Sequence, residues 1–413
     1  MRRATLSFRA LPLAALPLAA VPLAVLPFAV SAQGFDYGQR NTDFPPAFPE
    51  QTRAPLTESE VELDVRTVAG GLVHPWGIAV LPEDAGYLVT ERSGQLRHIT
   101  PDGAVSDPIS GVPAVFARDQ GGLLDVAVGP DFASDRTVYL TYAKPVGAEG
   151  QSATAAARGT LSEDLSALEE VEDIFVQDPP ADTPKHYGSR ILLPGDGTAI
   201  ITTGEHSSEA TRVFAQDLDK TYGKVIRVNL DGSVPADNPF VGDAEAVDTI
   251  WSHGHRNLQG AAFDAAGSLW TIEHGPAGGD ELNRPEAGLN YGWPVISYGQ
   301  NYDGSPVGSG RSAMEGMEQP VYFWDPVIAP GGMMFHAGAA FADWNGDLLI
   351  GSLNPGGVVR LSLNGEGLVV EEERLLRDQG RVRDIEVLED GTFLFLTDFD
   401  NGSLMHVVPK TEE

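Results

Sequence analysis

Between residues 76 and 408 one pattern returns six times. A run of alternating apolar residues meets a Gly- or Asp-containing turn; a second apolar run follows, then a polar cluster, and often a third run. The copies are "WGIAVLPEDAGYLVTERSGQLRHI", "GLLDVAVGPDFASDRTVYLTYA", "SRILLPGDGTAIITTGE" continued by "GKVIRVNLDG", "GAAFDAAGSLWTIEHG", "GGMMFHAGAAFADWNGDLLIGSLNPGGVVRLSLNG" and "RVRDIEVLEDGTFLFLTDFDNGSLMHVV". Alternation with period two is the signature of strands, and "EDG", "GDG" and "LDG" between such runs are hairpin turns. Repeats of roughly 60 residues, each a small sheet that buries its faces against its neighbours, predict an all-β fold. The expected architecture is a six-bladed β-propeller of four-stranded antiparallel blades. A pair of β-sandwiches is the competing layout, and the repeat count argues against it. Helical periodicity is nearly absent; "SEDLSALEEVEDIF" reads equally as a short helix or as a strand with a loop.

The propeller accounts for residues 61–413 as one domain and leaves no room for a second. Residues 33–60 are polar and rich in proline, and read as an extended lead-in. Residues 1–32 have a basic start, an apolar stretch interrupted by prolines, and the small residues Val30, Ser31 and Ala32 at the end. That is the layout of a secretory signal peptide cut after Ala32, and it places the chain in the periplasm or outside the cell. A membrane anchor is the alternative, and the prolines would break its helix. The chain has no cysteine, so packing alone holds the fold, and thiol catalysis, zinc–thiolate sites and covalent haem are excluded. The net charge of −32 becomes −35 once a leader with three arginines and no acids is removed. So acidic a surface repels nucleic acid and anionic lipid, and suits divalent cations and neutral or cationic substrates.

In a propeller, loops from every blade gather at the mouth of a central channel, so polar clusters at equivalent points of the repeats are candidates for one site. Five stand out: "DQGGLLD" (119–125), "KHYGSR" (185–190), "GHRNLQG" (254–260), "EHGPAGGDELN" (273–283) and "GRVRD" (380–384). A neutral imidazole such as His186 is the usual group to remove a proton near pH 7. Arg256, Arg381 and Arg383 offer forked donors for carboxylate oxygens, and alternation places Arg381 and Arg383 on the same side of a strand. Gly275 and Pro276 bend the main chain so that carbonyls face the channel, and calcium accepts such oxygens. Taken one at a time, each cluster also reads as an ordinary loop or a surface ion pair.

Taken together, and in order over residues 70–408, these segments resemble a known family. The segments are "HPWGIAVLP", "QGGLLDVAVGPDF", "HYGSRILL", "GKVIRVNLDGSVPADNPFVG", "IWSHGHRNLQGAAF", "EHGPAGGDELNRPEAGLNYGWP", "EGMEQPVYFW", "IAPGGM" and "RVRDIEVLEDGTFLFLTD". The family is the soluble, pyrroloquinoline quinone-dependent sugar dehydrogenases, in their aldose sugar dehydrogenase branch. The resemblance implies that His186 is the general base, oriented by Glu205, where an aspartate is common. It implies that Arg256 and Asn257 contact the quinone oxygens, with Arg256 stabilising developing charge, and that Gln120, His274, Arg381 and Arg383 surround the cofactor. It implies one calcium ion on the Gly275 and Pro276 carbonyls, and a second, structural ion bound through Glu281 and Tyr291. One position departs from the pattern: relatives often carry a lysine where this chain has Asn354. Asparagine keeps a hydrogen bond there and loses the charge, which Lys185 beside His186 is a candidate to replace.

The function expected is oxidation of the anomeric hydroxyl of aldoses to lactones, with electrons passed to the quinone and then to an external acceptor, by a monomer. Two rivals are a calcium-dependent, lactonase-like hydrolase and a non-catalytic ligand-binding propeller. Paired Arg381 and Arg383 do not suit a neutral lactone, and retention of His186, Arg256, Arg381 and Arg383 together argues against loss of activity.

Overall fold

The computed structural model describes residues 35–410. The leader expected over residues 1–32 lies outside them. Strand β1 (Leu63–Leu72) comes first. The first blade holds β2 (Pro75–Val80), β3 (Tyr87–Glu91) and β4 (Gln95–Ile99), and the second β5 (Leu123–Val128), β6 (Thr137–Pro145), β7 (Ser152–Leu161) and β8 (Leu168–Val176). The third holds β9 (Gly188–Leu192), β10 (Thr198–Thr203), β11 (Lys224–Asn229) and β12 (Ile250–His253). The fourth holds β13 (Leu258–Phe263), β14 (Leu269–Glu273), β15 (Asp280–Asn283) and β16 (Tyr322–Trp324). The fifth holds β17 (Pro330–Phe335), β18 (Leu348–Ser352), β19 (Val358–Leu363) and β20 (Val369–Leu375), and the sixth β21 (Val382–Val387), β22 (Phe393–Thr397) and β23 (Gly402–Pro409). All pairing is antiparallel within the blades, so the expected six-bladed propeller is what the chain adopts.

The ring closes without a covalent bond. β1 pairs along β23, from Leu63 opposite Pro409 to Leu72 opposite Gly402, and so supplies the outer strand of the last blade. The first blade has three strands rather than four; an isolated antiparallel bridge between Ile99 and Val105 marks where a fourth would run. "SEDLSALEEVEDIF" resolves as a turn followed by β8, not as a helix. Exposed Glu169, Glu170, Glu172 and Asp173 beside buried Leu168, Ile174 and Phe175 suit an outer strand that is partly open to water. Central strands such as β18 (LLIGS) and β22 (FLFLT) are buried throughout, because neighbouring blades cover both of their faces. Among the described residues no helix is long and apolar enough to cross a membrane.

The lead-in is fastened to the outside of the fourth and fifth blades. Asp325 accepts hydrogen bonds from the Asn41 and Thr42 amides at 2.9 and 3.0 Å, Gln51 donates to the Pro320 carbonyl at 2.8 Å, and Leu56 bridges to Glu372.

Innermost strands β2, β5, β9, β13, β17 and β21 touch in sequence, and β21 returns to β2. One buried ion cluster occupies their meeting point. Arg190 on β9 donates through Nη1 to Asp125 on β5 at 2.9 Å and lies 3.1 Å from Asp384 on β21. Its Nε and Nη2 donate to the Gln259 carbonyl on β13 at 3.2 and 3.1 Å. Asp384 in turn accepts from the Ile78 amide on β2 at 3.0 Å. On β17, Gly332 has no room for a Cβ, which would lie 1.7 Å from the Asp384 carboxylate and 3.0 Å from Arg190 Nη2. All six blades therefore meet at one guanidinium. Burial, and for Asp125 the nearby Asp384 charge, push both carboxyls up despite the Arg190 charge; Asp125 reaches about 7.

Removing the arginine leaves two desolvated carboxyls without a cation. Arg190→Met is expected to cost about 3–5 kcal/mol in urea unfolding, whereas the triple variant Asp125→Asn/Arg190→Met/Asp384→Asn recovers most of that loss. Equal loss in both variants would mean that the cluster acts through shape and not charge.

Candidate active site

The same ring geometry brings one end of each innermost strand together. A cavity of about 160 Å³ is lined by Trp76 of β2, Leu124 of β5, Gly188 of β9, Asn257 and Gln259 at β13, Ala329 before β17, and Arg383 of β21. Gln120, Arg92, Tyr187, His274, Leu353 and Arg381 complete it. A second cavity, of about 290 Å³, lies along the channel around Asp125, Arg190 and Asp384 and shares no side chain with the first. Trp76 stacks on Arg190, with the guanidinium carbon 4.6 Å from its ring centre, and so links the axial cluster to the cavity wall.

His186 precedes β9 in a left-handed backbone conformation, φ 49°, which is uncommon for a residue with a Cβ. Its amide donates to Gln120 Oε1 at 2.9 Å. Its Nδ1 lies 3.1 Å from Glu205 Oε1. A carboxylate only accepts, so Nδ1 carries the proton and Nε2 is left as a base with no hydrogen-bond partner among the described residues. Burial lowers the His186 pKa below its ordinary value, and the Arg256 charge lowers it further, against the opposing effect of Glu205. Burial alone would raise Glu205, but His186, Arg256 and the Ser207 amide hold it below the usual carboxylate range. His186 is not itself among the side chains lining the cavity; its neighbours Tyr187 and Gly188 are.

Arg256 lies over Trp293, 5.1 Å from the ring centre, donates to the His274 carbonyl at 2.8 Å, and has a buried Nε with no acceptor, 3.9 Å from Glu205. Asn257 Oδ1 accepts from the Gly188 amide at 3.0 Å and from Gln259 at 3.2 Å. His274 is driven down to about 3 by burial and is neutral; its Nε2 donates to the Pro330 carbonyl at 2.7 Å. Arg381 and Arg383 face the same way, and both donate to Asp398 Oδ2, at 3.0 and 2.9 Å. Asp398 also meets His74 Nδ1 at 2.7 Å. Burial would raise Asp398, but Arg383, His74 and Arg381 hold it far below the usual range. Asn354 is exposed and does not line the cavity; Leu353 beside it does. Lys185 is also exposed, 3.8 Å from Asp119, and is absent from the cavity wall.

Gly275, Pro276, Glu281 and Tyr291 line one narrow space of about 10 Å³ together with Glu273 and Arg256. That is room for about one ion or water. Neither the Gly275 nor the Pro276 carbonyl accepts a hydrogen bond among the described residues. Glu281 pairs with Glu273 across adjacent strands, and burial together with the Glu273 charge raises its pKa well above the ordinary value. The Tyr291 hydroxyl is already committed, donating to the Arg284 carbonyl at 2.6 Å and accepting from the Glu286 amide at 2.9 Å. Among the described residues no three His, Asp or Glu side chains gather as a metal site, so a cation here would draw on main-chain oxygens.

Sequence reasoning passed over Trp76, Arg92, Tyr187, Gln259 and Asp398. Most of them sit at strand ends inside quoted segments, and their position there was the available signal.

A family model for glucose/sorbosone dehydrogenases matches residues 72–406. The chain is 42% identical over 358 residues to the aldose sugar dehydrogenase YliI of Escherichia coli, covering 86% of this chain and 95% of that protein. It superposes on the apo-form of the soluble aldose sugar dehydrogenase from Escherichia coli with a TM-score of 0.81 at 41% identity, covering 84% of this chain and 100% of that one. For the PQQ-bound aldose sugar dehydrogenase from Streptomyces coelicolor the TM-score is 0.69 at 26% identity, covering 84% and 99% of the two chains. The chain belongs to the glucose/sorbosone dehydrogenase family of sugar oxidoreductases.

Proposed function

We propose that the chain is an exported, pyrroloquinoline quinone-dependent aldose dehydrogenase that oxidises the C1 hydroxyl of an aldose to the lactone. The observation that carries the reading is the His186–Glu205 pair, with a free Nε2, beside a cavity walled by guanidinium and amide donors. That donor set fits a planar tricarboxylate, and the buried, unpaired Nε atoms of Arg256 and Arg383 are donors still without an acceptor. When bound, the quinone supplies a two-electron acceptor and calcium a Lewis acid beside it. Arg381 and Arg383 would hold carboxylates, Asn257 and Gln120 would orient the ring system, and Gly275 and Pro276 would hold the calcium ion. Two calcium sites were expected, and Glu281 and Tyr291 share the narrow space with Gly275 and Pro276.

His186 Nε2 takes the proton of the C1 hydroxyl as the oxygen's electron pair closes the C1=O bond, and the C1 hydrogen would leave with its bonding pair to the two-electron acceptor. Glu205 keeps Nδ1 protonated, so the lone pair stays on Nε2, and it stabilises the imidazolium once formed. Arg256 stabilises negative charge that develops on the acceptor side. The reading extends to a monomer that passes electrons to an external acceptor after its leader is removed. The cavity is walled by arginines and amides, with no carboxylate among its lining side chains, so it lacks the acidic ligands with which a calcium-dependent hydrolase would hold its metal.

His186→Gln should lower kcat by about 10²–10⁴-fold while the quinone still binds; joint loss of binding would reassign His186 to a structural role. The acid limb of kcat/KM should lie below the ordinary histidine range, because burial and Arg256 disfavour the imidazolium. Glu205→Gln removes the one neighbour that raises His186. It should move that limb to still lower pH and cut kcat on the order of 10²-fold, and an unmoved limb would sever Glu205 from the base. Calcium at about a hundred times its Kd should stabilise the protein by about 2.7 kcal/mol in thermal unfolding. Equal stabilisation by magnesium would argue against the carbonyl-rich site.

A further inference from the structure

The cavity holds a third guanidinium that neither the motifs nor the ion pairs account for. Arg92 stands in the turn between β3 and β4, and its backbone is held from both sides. Its amide donates to the His74 carbonyl at 3.2 Å, and its carbonyl accepts from the Leu123 amide at 3.3 Å. Gly122, at φ 150°, passes so close that a Cβ would lie 1.9 Å from the Arg92 carbonyl oxygen. First and second blades thus fix where this side chain starts.

Where it ends is electrostatically costly. Arg92 lines the cavity, its Nη1 donates to the Asp119 main-chain carbonyl at 3.1 Å, and its buried Nε has no acceptor. Among the described residues it has no carboxylate within ion-pair distance, in a chain with 59 acids and 27 bases. Arg381 and Arg383 share the single carboxylate of Asp398. Three guanidiniums on one cavity therefore face one counter-charge, and the Arg383 guanidinium is pulled down by burial and by the Arg381 and Arg92 charges, against Asp398. Like charges held together without a ligand are repaid only when a polyanion binds.

We propose that Arg92 is a carboxylate-binding residue of this cavity, the third point of a clamp with Arg381 and Arg383 for a polycarboxylate ligand. The proposal rests on the quinone reading for the ligand's identity, but not for its charge. Arg92 does from the first blade what the exposed Asn354 and Lys185 do not: it brings a fixed positive charge to the cavity wall.

The test is titration of the apo-protein, followed by tryptophan fluorescence, with two probes: pyrroloquinoline quinone plus calcium, and benzene-1,3,5-tricarboxylate. Arg92→Gln should weaken quinone binding by about 10- to 100-fold and flatten its salt dependence. Arg92→Lys should recover part of the affinity, since it keeps the charge and loses the fork. Lys185→Gln, the same charge change outside the cavity, should leave Kd unchanged. Unaltered quinone binding in Arg92→Gln would overturn the proposal and leave the dehydrogenase reading intact, and so would an equal loss in Lys185→Gln. Tricarboxylate binding that depends on Arg92, without quinone binding, would uphold the clamp and sink the quinone reading. A wild-type protein that binds neither probe would overturn both.

Discussion

Arg190 is the point on which the propeller turns. A guanidinium that is almost fully buried carries a large desolvation penalty, and only well-placed acceptors offset it. Here those acceptors come from β5, β13 and β21, while β2 and β17 close on the same cluster. A slip of one residue in any innermost strand would turn its contribution away from the axis. The cluster therefore sets the register of six sheets that otherwise touch through apolar side chains able to pack in several ways. It also reaches the site, because Trp76 stacks on Arg190 and lines the cavity.

The site repeats that logic with the opposite balance. Along the axis, two carboxyls share one arginine. At the cavity, one carboxylate behind the wall, Asp398, is shared by two arginines while Arg92 has none among the described residues. In a protein with a formal charge of −32 the cavity is a local inversion of sign, which is what an anionic cofactor would need to approach it. Beside it, His186 is held by the Glu205 carboxylate on one nitrogen and free on the other, an arrangement suited to gaining a proton, whereas His274 rests on the Pro330 carbonyl and burial drives it down to about 3.

Much of this was legible before any coordinates. Six period-two repeats with hairpin turns left few architectures open, and clusters at matching points of those repeats had to converge. What stayed hidden involves partners distant in sequence. The closing strand β1 lies over 300 residues from its partner β23, and nothing in "LDVRTVAGGL" marks it as the end of the last blade. The clusters "DQGGLLD", "KHYGSR" and "GRVRD" were recognised as polar strand ends, yet each holds two kinds of residue. Gln120, His186 and Arg383 turn to the site, whereas Asp125, Arg190 and Asp384 turn to the axis and to each other. Spacing alone cannot separate those directions, because both kinds of residue are buried and polar. Asn354 lacks the charge that the family pattern carries there, but it stands off the cavity wall; a positive charge on that wall comes instead from Arg92, which no motif spacing marks.

The central claim is that this arginine-walled cavity and the His186–Glu205 pair form one redox site. The most direct measurement is anaerobic reconstitution of the apo-protein with pyrroloquinoline quinone and calcium, followed by addition of excess glucose, galactose or a disaccharide while the quinone absorbance is recorded. Stoichiometric bleaching that requires both calcium and sugar is the result the structure predicts. A bound quinone whose spectrum no aldose alters would contradict it, because cofactor and base would then be present without a shared substrate.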